Sequence, residues 1–292
     1  VPVHVPDNLP PTFVDDRALP DLQLLSLRGP DAVTFSQAQF ANDVPSLGVL
    51  HWQWSCWLTA KGRVIAPFAL AKLATDHIVL LLADGHADEI ASQLQRFVFR
   101  RKVAISVRTD LRAAIAFTAP EAASGAAIAH PAEDVFELDM GSDALPRRLR
   151  IVPAADAPVD ADAATTLAWR QADLRFGLPR LDAGQREQWT PQQIGLDRLN
   201  GYSVKKGCYP GQEIVARTHF LGKAKRSLAL LRVDVTTATG DKVEREGTQL
   251  GSIASVAGDL ALAVLPLDLE AGPLQVAGAE AAVLPLLEGL AR

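Results

Sequence analysis

Residues 52–73 constrain the fold more than any other stretch of the chain. They read WQWSCWLTAKGRVIAPFALAKL, two apolar runs on either side of a short polar turn at Lys61-Gly62. Such a pattern predicts an antiparallel hairpin. A further apolar run, HIVLLLA, follows before any helical pattern begins. Because parallel strands need a long crossover, usually a helix, this order argues against a regular doubly wound sheet.

Helical patterns occur between the predicted strands without a fixed rhythm. Gly29-Pro30 follows a predicted strand at Leu22–Leu27 and opens a helix, and the run ADEIASQLQRFVF has helical spacing. A later helix is predicted after a cap at Thr165 or Thr166. From residue 225 onward, short apolar runs broken by Gly and Asp predict a small all-β unit. The sequence therefore predicts an α+β fold that ends in a β-barrel.

The length of 292 residues exceeds the usual size of one hydrophobic core, so several structural regions are expected. We predict a first α+β part, a middle α+β region with variable loops, a region that contains a helix and a motif loop, and the barrel. These regions span residues 1–107, 108–165, 166–224 and 225–292.

Composition narrows the classes of function. The net charge of −5 gives no overall attraction to nucleic acid, and no apolar run approaches the length of a membrane span. The two cysteines, Cys56 and Cys208, cannot build a disulfide framework, and no metal-ligand cluster is visible. Residues 1–13 lack a secretory signal pattern. We expect a cytoplasmic protein that binds neither membranes nor nucleic acid directly.

One short stretch suggests reactive chemistry. Residues 205–217, KKGCYPGQEIVAR, place Cys208 beside two lysines and a Tyr-Pro-Gly-Gln sequence typical of a type II turn. A helix that began at Gln212 would direct unpaired backbone N–H groups toward the sulfur. With Lys205 or Lys206, this predicts a stabilised thiolate that is reactive or ligating. The alternative is that Cys208 packs as a small apolar residue and that the glycines only shape a loop.

The same stretch resembles the K-G-C-[FY]-x-G-Q-E-x-x-A-R signature of the YgfZ-type proteins within the glycine-cleavage T-protein superfamily. The segments FGLPRL, WTPQQIGLDRL and FLGKAKRSLALL are also similar to that family, as are LRGPDAVTFSQAQFANDV and AKGRVIAPFAL near the N-terminus. Residues 108–165 and 266–292 match only loosely. The resemblance implies a ring-like arrangement of a folate-binding α+β unit and a C-terminal barrel, with tetrahydrofolate in the central channel.

The resemblance also implies a role for each residue of the motif. Cys208 would be the working thiol, and Lys206 and Arg217 would be its electropositive neighbours. The loop itself would be set by Gly207, Tyr209, Gly211, Gln212 and Glu213. The implied function is the assembly or repair of iron-sulfur clusters in selected client enzymes, including enzymes of tRNA modification.

The chain departs from the superfamily at two positions that bear on catalysis. True aminomethyltransferases carry an Asp-Asp pair where this chain has Ala66-Pro67, and an acid where it has Arg175. Neither alanine nor proline can exchange a proton, so the residues disfavour aminomethyl transfer. Gly195 and Pro210 also differ from the usual YgfZ pattern, which affects local hydrogen bonding more than the family assignment.

Three hypotheses follow. The first is an iron-sulfur maintenance factor that uses folate and acts as an accessory protein more than as an enzyme. The second is a folate-dependent one-carbon transferase, either an aminomethyltransferase or a demethylase. The third is a binding module with an inert loop.

A few further residues have two interpretations. Asp43, Trp54, Trp169 and Trp189 are candidates for contact with folate. The alternative for Asp43 is that it only shapes a turn, and the alternative for the tryptophans is that they pack in the core. On strand 52–58, alternation places Trp52, Trp54 and Cys56 on one face and Trp57 on the other. The run Arg100-Arg101-Lys102 is either a solvated helix cap or a site for an acidic folate tail.

Overall fold

The computed structural model of the chain describes residues 13–220, 224–269 and 272–292. Residues 1–12, which hold most of the stretch without a secretory pattern, lie outside the described residues. Within the described ranges no helix is both long and apolar enough to cross a bilayer. The helices are α1 (Ala32–Gln39), α2 (Ala87–Gln95), α3 (Ala163–Arg175) and α4 (Gln212–Phe220). The strands are β1 (Arg17–Ala18), β2 (Gln23–Arg28), β3 (His51–Leu58), β4 (Val64–Ala74), β5 (His77–Leu82), β6 (Ala104–Val107), β7 (Leu111–Ala116), β8 (Ala129–Ala132), β9 (Val135–Asp139), β10 (Arg148–Pro153), β11 (Arg226–Val233), β12 (Lys242–Arg245), β13 (Thr248–Ala257), β14 (Leu260–Pro266), β15 (Leu274–Val276) and β16 (Ala279–Leu284).

The first sheet has five antiparallel strands in the order β3-β4-β5-β2-β6. Its β3–β4 hairpin is the one that residues 52–73 predict. The predicted division of the tryptophans is confirmed, because Trp54 and Cys56 belong to the core shared with the second sheet, whereas Trp57 packs under the helices α1 and α2. The sheet is therefore buried on both faces.

The second sheet has the order β1-β7-β10-β9-β8 and packs with α3 against the first sheet. Helix α3 begins at Ala163, earlier than predicted. Its N-cap is Asp162, whose carboxylate accepts a hydrogen bond from the backbone N–H of Thr165 at 2.7 Å. The prediction of a threonine cap is wrong because Asp162 reaches the free N–H of the first turn.

Strands β11–β16 close into a barrel in the order β11-β14-β13-β12-β15-β16. Alternation along β11 divides its side chains, since Leu231 and Val233 fill the barrel while Leu228 and Leu230 join the core shared with α3 and the sheets. The α+β fold with a small C-terminal barrel is confirmed. The division of the chain at residues 107, 165 and 224 stays a prediction.

Candidate functional site

The turn beside Cys208 has the predicted form. Gly211 has a φ of +78°, and the backbone N–H of Gln212 donates to the carbonyl of Tyr209 at 3.2 Å. A Cβ on Gly211 would lie 2.6 Å from the carbonyl oxygen of Thr59 and from the Cα of Gly62. Glycine is therefore required twice, by the backbone conformation and by the close approach of the β3–β4 turn.

The side chain of Cys208 is exposed, and helix α4 begins at Gln212 as predicted. The backbone N–H groups of Ile214 and Val215 donate to the carbonyl of Gly211, as that of Gln212 does to Tyr209. The prediction that unpaired N–H groups face the sulfur is wrong for these three positions, because the turn itself supplies their acceptors. The exposure of Cys208, by contrast, excludes the alternative in which it packs in the core.

Lys206 anchors the loop to helix α1. Its side chain is buried, and its ammonium group donates to the carbonyls of Gln37, Phe40 and Asn42 at 2.7, 2.5 and 2.9 Å. It also lies 4.9 Å from the centre of the Tyr209 ring. Burial lowers the pKa of Lys206 to about 8, a shift that nearby Asp43 and then Cys56 oppose. These hydrogen bonds to α1 and the turn after it give Lys206 a structural role, and its expected role as a charge beside the Cys208 sulfur stays a prediction.

Other motif residues hold the loop in shape. The Tyr209 hydroxyl donates to the carbonyl of Ser203 at 3.2 Å, and burial raises its pKa. The side-chain amide of Gln212 donates to the carbonyl of Lys206 at 3.1 Å. Glu213 lies in the first turn of α4, where its negative charge interacts favourably with the helix dipole. These contacts fix the backbone on both sides of Cys208.

The remaining motif residues lie toward solvent. Gly207 is exposed, and a Cβ built on it would meet no atom within 4 Å, so this glycine is not required by space. Arg217 is exposed in the last turn of α4. Its predicted role beside Cys208 stays a prediction.

A small apolar hollow lies where the two sheets meet α3. Six of the side chains that line it are Leu19, Trp54, Pro67, Phe68, Trp169 and Asp173. Its open volume is about 30 Å³, room for one or two water molecules. Trp54 is fixed there, because its indole N–H donates to the carbonyl of Leu290 at 2.8 Å.

A buried chain of charges closes one side of this hollow. Asp173 on α3 accepts from Arg147 at 2.7 Å and from Arg180 at 3.1 Å, and Arg180 also pairs with Asp84 at 2.8 Å. The Arg147 guanidinium lies 4.5 Å from the centre of the Trp169 ring, and its Nη2 has no hydrogen-bond partner. Burial lowers the pKa of Arg147, and Asp173 opposes that shift. Buried charges are tolerated because they are paired in this way.

A larger polar cleft adjoins the hollow. Its volume is about 390 Å³, and Asp84 and Arg180 line both spaces. Three further charged residues line the cleft. Asp21 lies just before β2, Arg170 lies on α3, and Asp182 lies in the loop after α3. Arg180 therefore stands between a closed aromatic space and an open polar one.

The chain resembles known proteins in both sequence and fold. No family model matches the chain. Over 293 residues it is 30% identical to the tRNA-modifying protein YgfZ of Edwardsiella ictaluri, a match that covers 91% of this chain and 87% of that protein. The chain belongs to the YgfZ family. The YgfZ protein of Cronobacter sakazakii is 28% identical over 294 residues, with 91% and 88% of the two chains covered.

The fold of this YgfZ family member is also found in a solved structure. The glycine cleavage system aminomethyltransferase T from Bartonella henselae superposes with a TM-score of 0.71 over 94% of this chain and 86% of that one. The two sequences are only 15% identical, so this likeness concerns the fold. The resemblance drawn from the KKGCYPGQEIVAR motif is confirmed at the level of family and fold.

The structure brings together only some of the expected folate contacts. Trp54 and Trp169 line the hollow, whereas Asp43 and Trp189 do not. Asp43 accepts a hydrogen bond from the side chain of Gln37 at 3.2 Å, and the Trp189 indole donates to Gln185 at 3.0 Å. Both residues therefore have local structural partners, and their predicted contact with folate stays a prediction.

Sequence reasoning missed Asp173, Arg147 and Arg180. Arg175 stands where the superfamily has an acid, and it does not line the hollow. Asp173 does line it, and it lies one helical turn after Trp169 on α3. That spacing of four was visible in the sequence, and it places the two side chains on one helix face. The pairing with Arg147 and Arg180 was not visible, because it depends on how three elements pack.

Proposed function

We propose that this YgfZ family member binds tetrahydrofolate and, in the cytoplasm, helps to assemble or repair iron-sulfur clusters in client enzymes through Cys208. Because the relatives are named tRNA-modifying proteins, the proposed clients include iron-sulfur enzymes that modify tRNA. The protein acts on those enzymes and has no direct contact with nucleic acid in this proposal.

The exposure of Cys208 on a rigidly held loop is the observation that carries the proposal. A surface cysteine without a structural role leaves its sulfur available to another molecule, and here buried contacts of Lys206 and Tyr209 hold the loop. Iron-sulfur clusters normally take four protein ligands. Among the described residues no group of three or more His, Cys, Asp or Glu side chains could hold a metal ion. Cys208 therefore supplies one ligand of a site shared with the client.

The hollow fits the pterin of a folate in its chemistry. Trp54 and Trp169 offer flat rings for offset stacking, and Asp173 offers a carboxylate for the N–H groups of the pterin. Arg147, whose Nη1 donates to Asp173, also has a buried Nη2 donor without a partner.

Size adds one requirement to the proposal. An open volume of about 30 Å³ is too small for a pterin, whereas the neighbouring cleft measures about 390 Å³. Arg180 and Asp84 line both, so in this proposal a movement of the Arg180 side chain away from Asp173 joins the two spaces. The proposal therefore requires that Arg180 and its partners rearrange when folate binds.

The residues disfavour the one-carbon transferase hypothesis. Pro67 lines the hollow at the place of the superfamily's acid pair, and it has no group that can exchange a proton. Asp173 is a carboxylate in the hollow, but both of its oxygens accept hydrogen bonds from arginine. Its ion pairs suit it to bind and orient a ligand more than to take up a proton.

Titration with tetrahydrofolate tests the folate part of the proposal. Binding in the hollow is expected to change the fluorescence of Trp54 and Trp169, with a micromolar dissociation constant. The variant Asp173→Asn is expected to bind about tenfold more weakly, because a hydrogen bond to a charged group contributes about 1.5–3 kcal/mol.

Asp162→Asn is the matched control, since it makes the same chemical change on the same helix and asparagine also caps well. It is expected to bind like the unmodified protein, and thermal unfolding shows whether each variant is folded. Absence of any binding by the unmodified protein would refute the folate proposal. Equal binding by Asp173→Asn would place the folate outside the hollow.

A further inference from the structure

Residues 96–102, which we call the 96–102 segment, form an exposed basic and aromatic surface directly after α2. The segment reads RFVFRRK, so four of its seven residues are cationic on a chain with a net charge of −5. In the part of the chain that the structure describes, none of these four side chains has an ion-pair partner. Phe97 is 50% exposed and Phe99 is 88% exposed. Exposed apolar side chains among polar or charged residues are typical of an interaction site.

The segment is held in a defined shape. Val98 is buried under the sheet, the Phe97 ring meets the Trp57 ring edge-on at 6.2 Å, and the backbone N–H of Lys102 donates to Asp31 at 2.7 Å. Phe99 has a φ of +49°, a conformation that bulky residues rarely adopt. The Arg100 guanidinium lies 5.5 Å from the centre of its ring. The backbone therefore keeps Phe99 and its neighbouring cation pointed into solvent.

A solvated helix cap does not account for this arrangement. Cations stabilise a helix C-terminus only within its last turn. Helix α2 ends at Gln95 with Arg96 as its cap, so Arg100, Arg101 and Lys102 lie more than one turn beyond it. The effect also gives no reason for an exposed phenylalanine in a strained conformation.

The segment leads into a strand with an open edge. Strand β6 lies at the edge of the first sheet and, among the described strands, pairs with β2 alone. The backbone N–H of Arg108 donates to the carbonyl of Leu24, which fixes the alternation of hydrogen bonds along the pair. Ala104 and Ser106 therefore bond to β2, and the backbone groups of Ile105 and Val107 face outward.

We propose that the 96–102 segment and the free edge of β6 dock an acidic, extended segment of a partner protein. Carboxylates would pair with the unpartnered cations, an apolar side chain would cover Phe99, and the main chain would extend the sheet at β6. These three features lie next to one another along the chain, so one short polypeptide satisfies all of them.

RNA is the other polyanion that such a surface could attract, because bases stack on aromatic rings and phosphates pair with arginine. The structure favours the polypeptide for two reasons. An RNA carries negative charge along its whole length, so the rest of this acidic chain repels it. RNA also leaves the outward backbone groups of Ile105 and Val107 without partners, whereas an added strand satisfies them.

A series of contacts joins the docking surface to the Cys208 loop. Phe97 packs on Trp57, Trp57 forms a β-bridge with Phe40, and the Phe40 carbonyl accepts from Lys206 at 2.5 Å. A partner docked on the 96–102 segment is thus held by the same scaffold as the loop. That this partner is an iron-sulfur client rests on the proposed function, whereas the docking itself does not.

Peptide binding to the full-length protein tests the proposal. The probe is a short fluorescein-labelled peptide of repeated Glu-Val-Glu-Phe units, followed by anisotropy at low and high salt. We expect binding that salt weakens, because screening acts over about 10 Å at moderate ionic strength. The double variant Arg100→Glu with Arg101→Glu is expected to bind at least about tenfold more weakly, and Phe99→Ser about fivefold.

The double variant Lys225→Glu with Lys242→Glu is the matched control, because it changes the net charge equally on exposed lysines of the barrel region. It is expected to bind nearly as well as the unmodified protein. Equal losses in both double variants, or no peptide binding at all, would overturn the proposal. So would binding of a labelled single-stranded oligouridine in preference to the peptide.

None of these outcomes depends on folate or on Cys208, so a Cys208→Ala variant that docks the peptide but supports no client separates the two proposals.

Discussion

Replacing Cys208 with alanine is expected to abolish the proposed support of iron-sulfur client enzymes in cells. The measurement is the level of a tRNA modification that an iron-sulfur enzyme makes, in cells whose own copy of the gene is deleted. The level should fall to that of cells without the protein. The reason is that the exposed sulfur of Cys208 is the proposed shared ligand, and alanine offers none.

The same substitution separates loss of function from loss of fold. Because Cys208 is exposed, Cys208→Ala should change the free energy of unfolding by no more than about 0.5 kcal/mol. Tetrahydrofolate binding should also persist. Cys56→Ala is the control, since Cys56 is buried in the core and should not be needed for client activity. Full client activity with alanine at position 208 would refute the role of the thiol, and loss of one-carbon turnover instead would favour the transferase.

The second large effect is expected at Lys206. Lys206→Met removes the donor from three backbone carbonyls that α1 and its following turn present. Because buried acceptors without donors each cost about 1–3 kcal/mol, and removal of a buried charge offsets part of that, we expect a loss of about 2–4 kcal/mol in the free energy of unfolding. Chemical denaturation of both proteins measures it. A loss below 1 kcal/mol would show that the loop does not depend on this anchor.

The stability difference between these two proteins should depend on pH. Burial lowers the pKa of Lys206 from 10.5 to about 8, so between these values the unfolded chain binds more protons than the folded one. Stability that depends on Lys206 therefore rises with pH in this window. From pH 7.5 to 9.5 the unmodified protein should gain about 2 kcal/mol relative to Lys206→Met. A difference that stays constant with pH would contradict the buried environment of this lysine.

Much of the fold could be predicted because it depends on local patterns. The alternation around Lys61-Gly62 identified the hairpin and the two faces of β3, and the Tyr-Pro-Gly-Gln sequence identified the turn before α4. Gly211 has a positive φ and lies close to the backbone of the β3–β4 turn. Both features require glycine, so the residue type itself indicated the turn. The resemblance to the family then extended these local predictions to the whole fold.

The rest of the site depends on contacts between distant parts of the chain. Lys206 lies 164–169 residues from the carbonyls that it reaches, so the residues around it in the sequence could not predict these bonds. The ion pairs of Asp173 join α3 to the residue before β10 and to the loop after Gly177. No periodicity marks such pairs, because they appear only when the elements have packed.

Alkylation of the native protein by iodoacetamide tests the central claim most directly. Mass spectrometry of the digested protein reports how fast each cysteine is modified, and the buried Cys56 serves as the internal reference. The structure predicts rapid modification of Cys208, with Cys56 modified only after denaturation. Modification of Cys208 no faster than that of Cys56 would show that its sulfur is not open to another molecule, and the proposed function would fail with it.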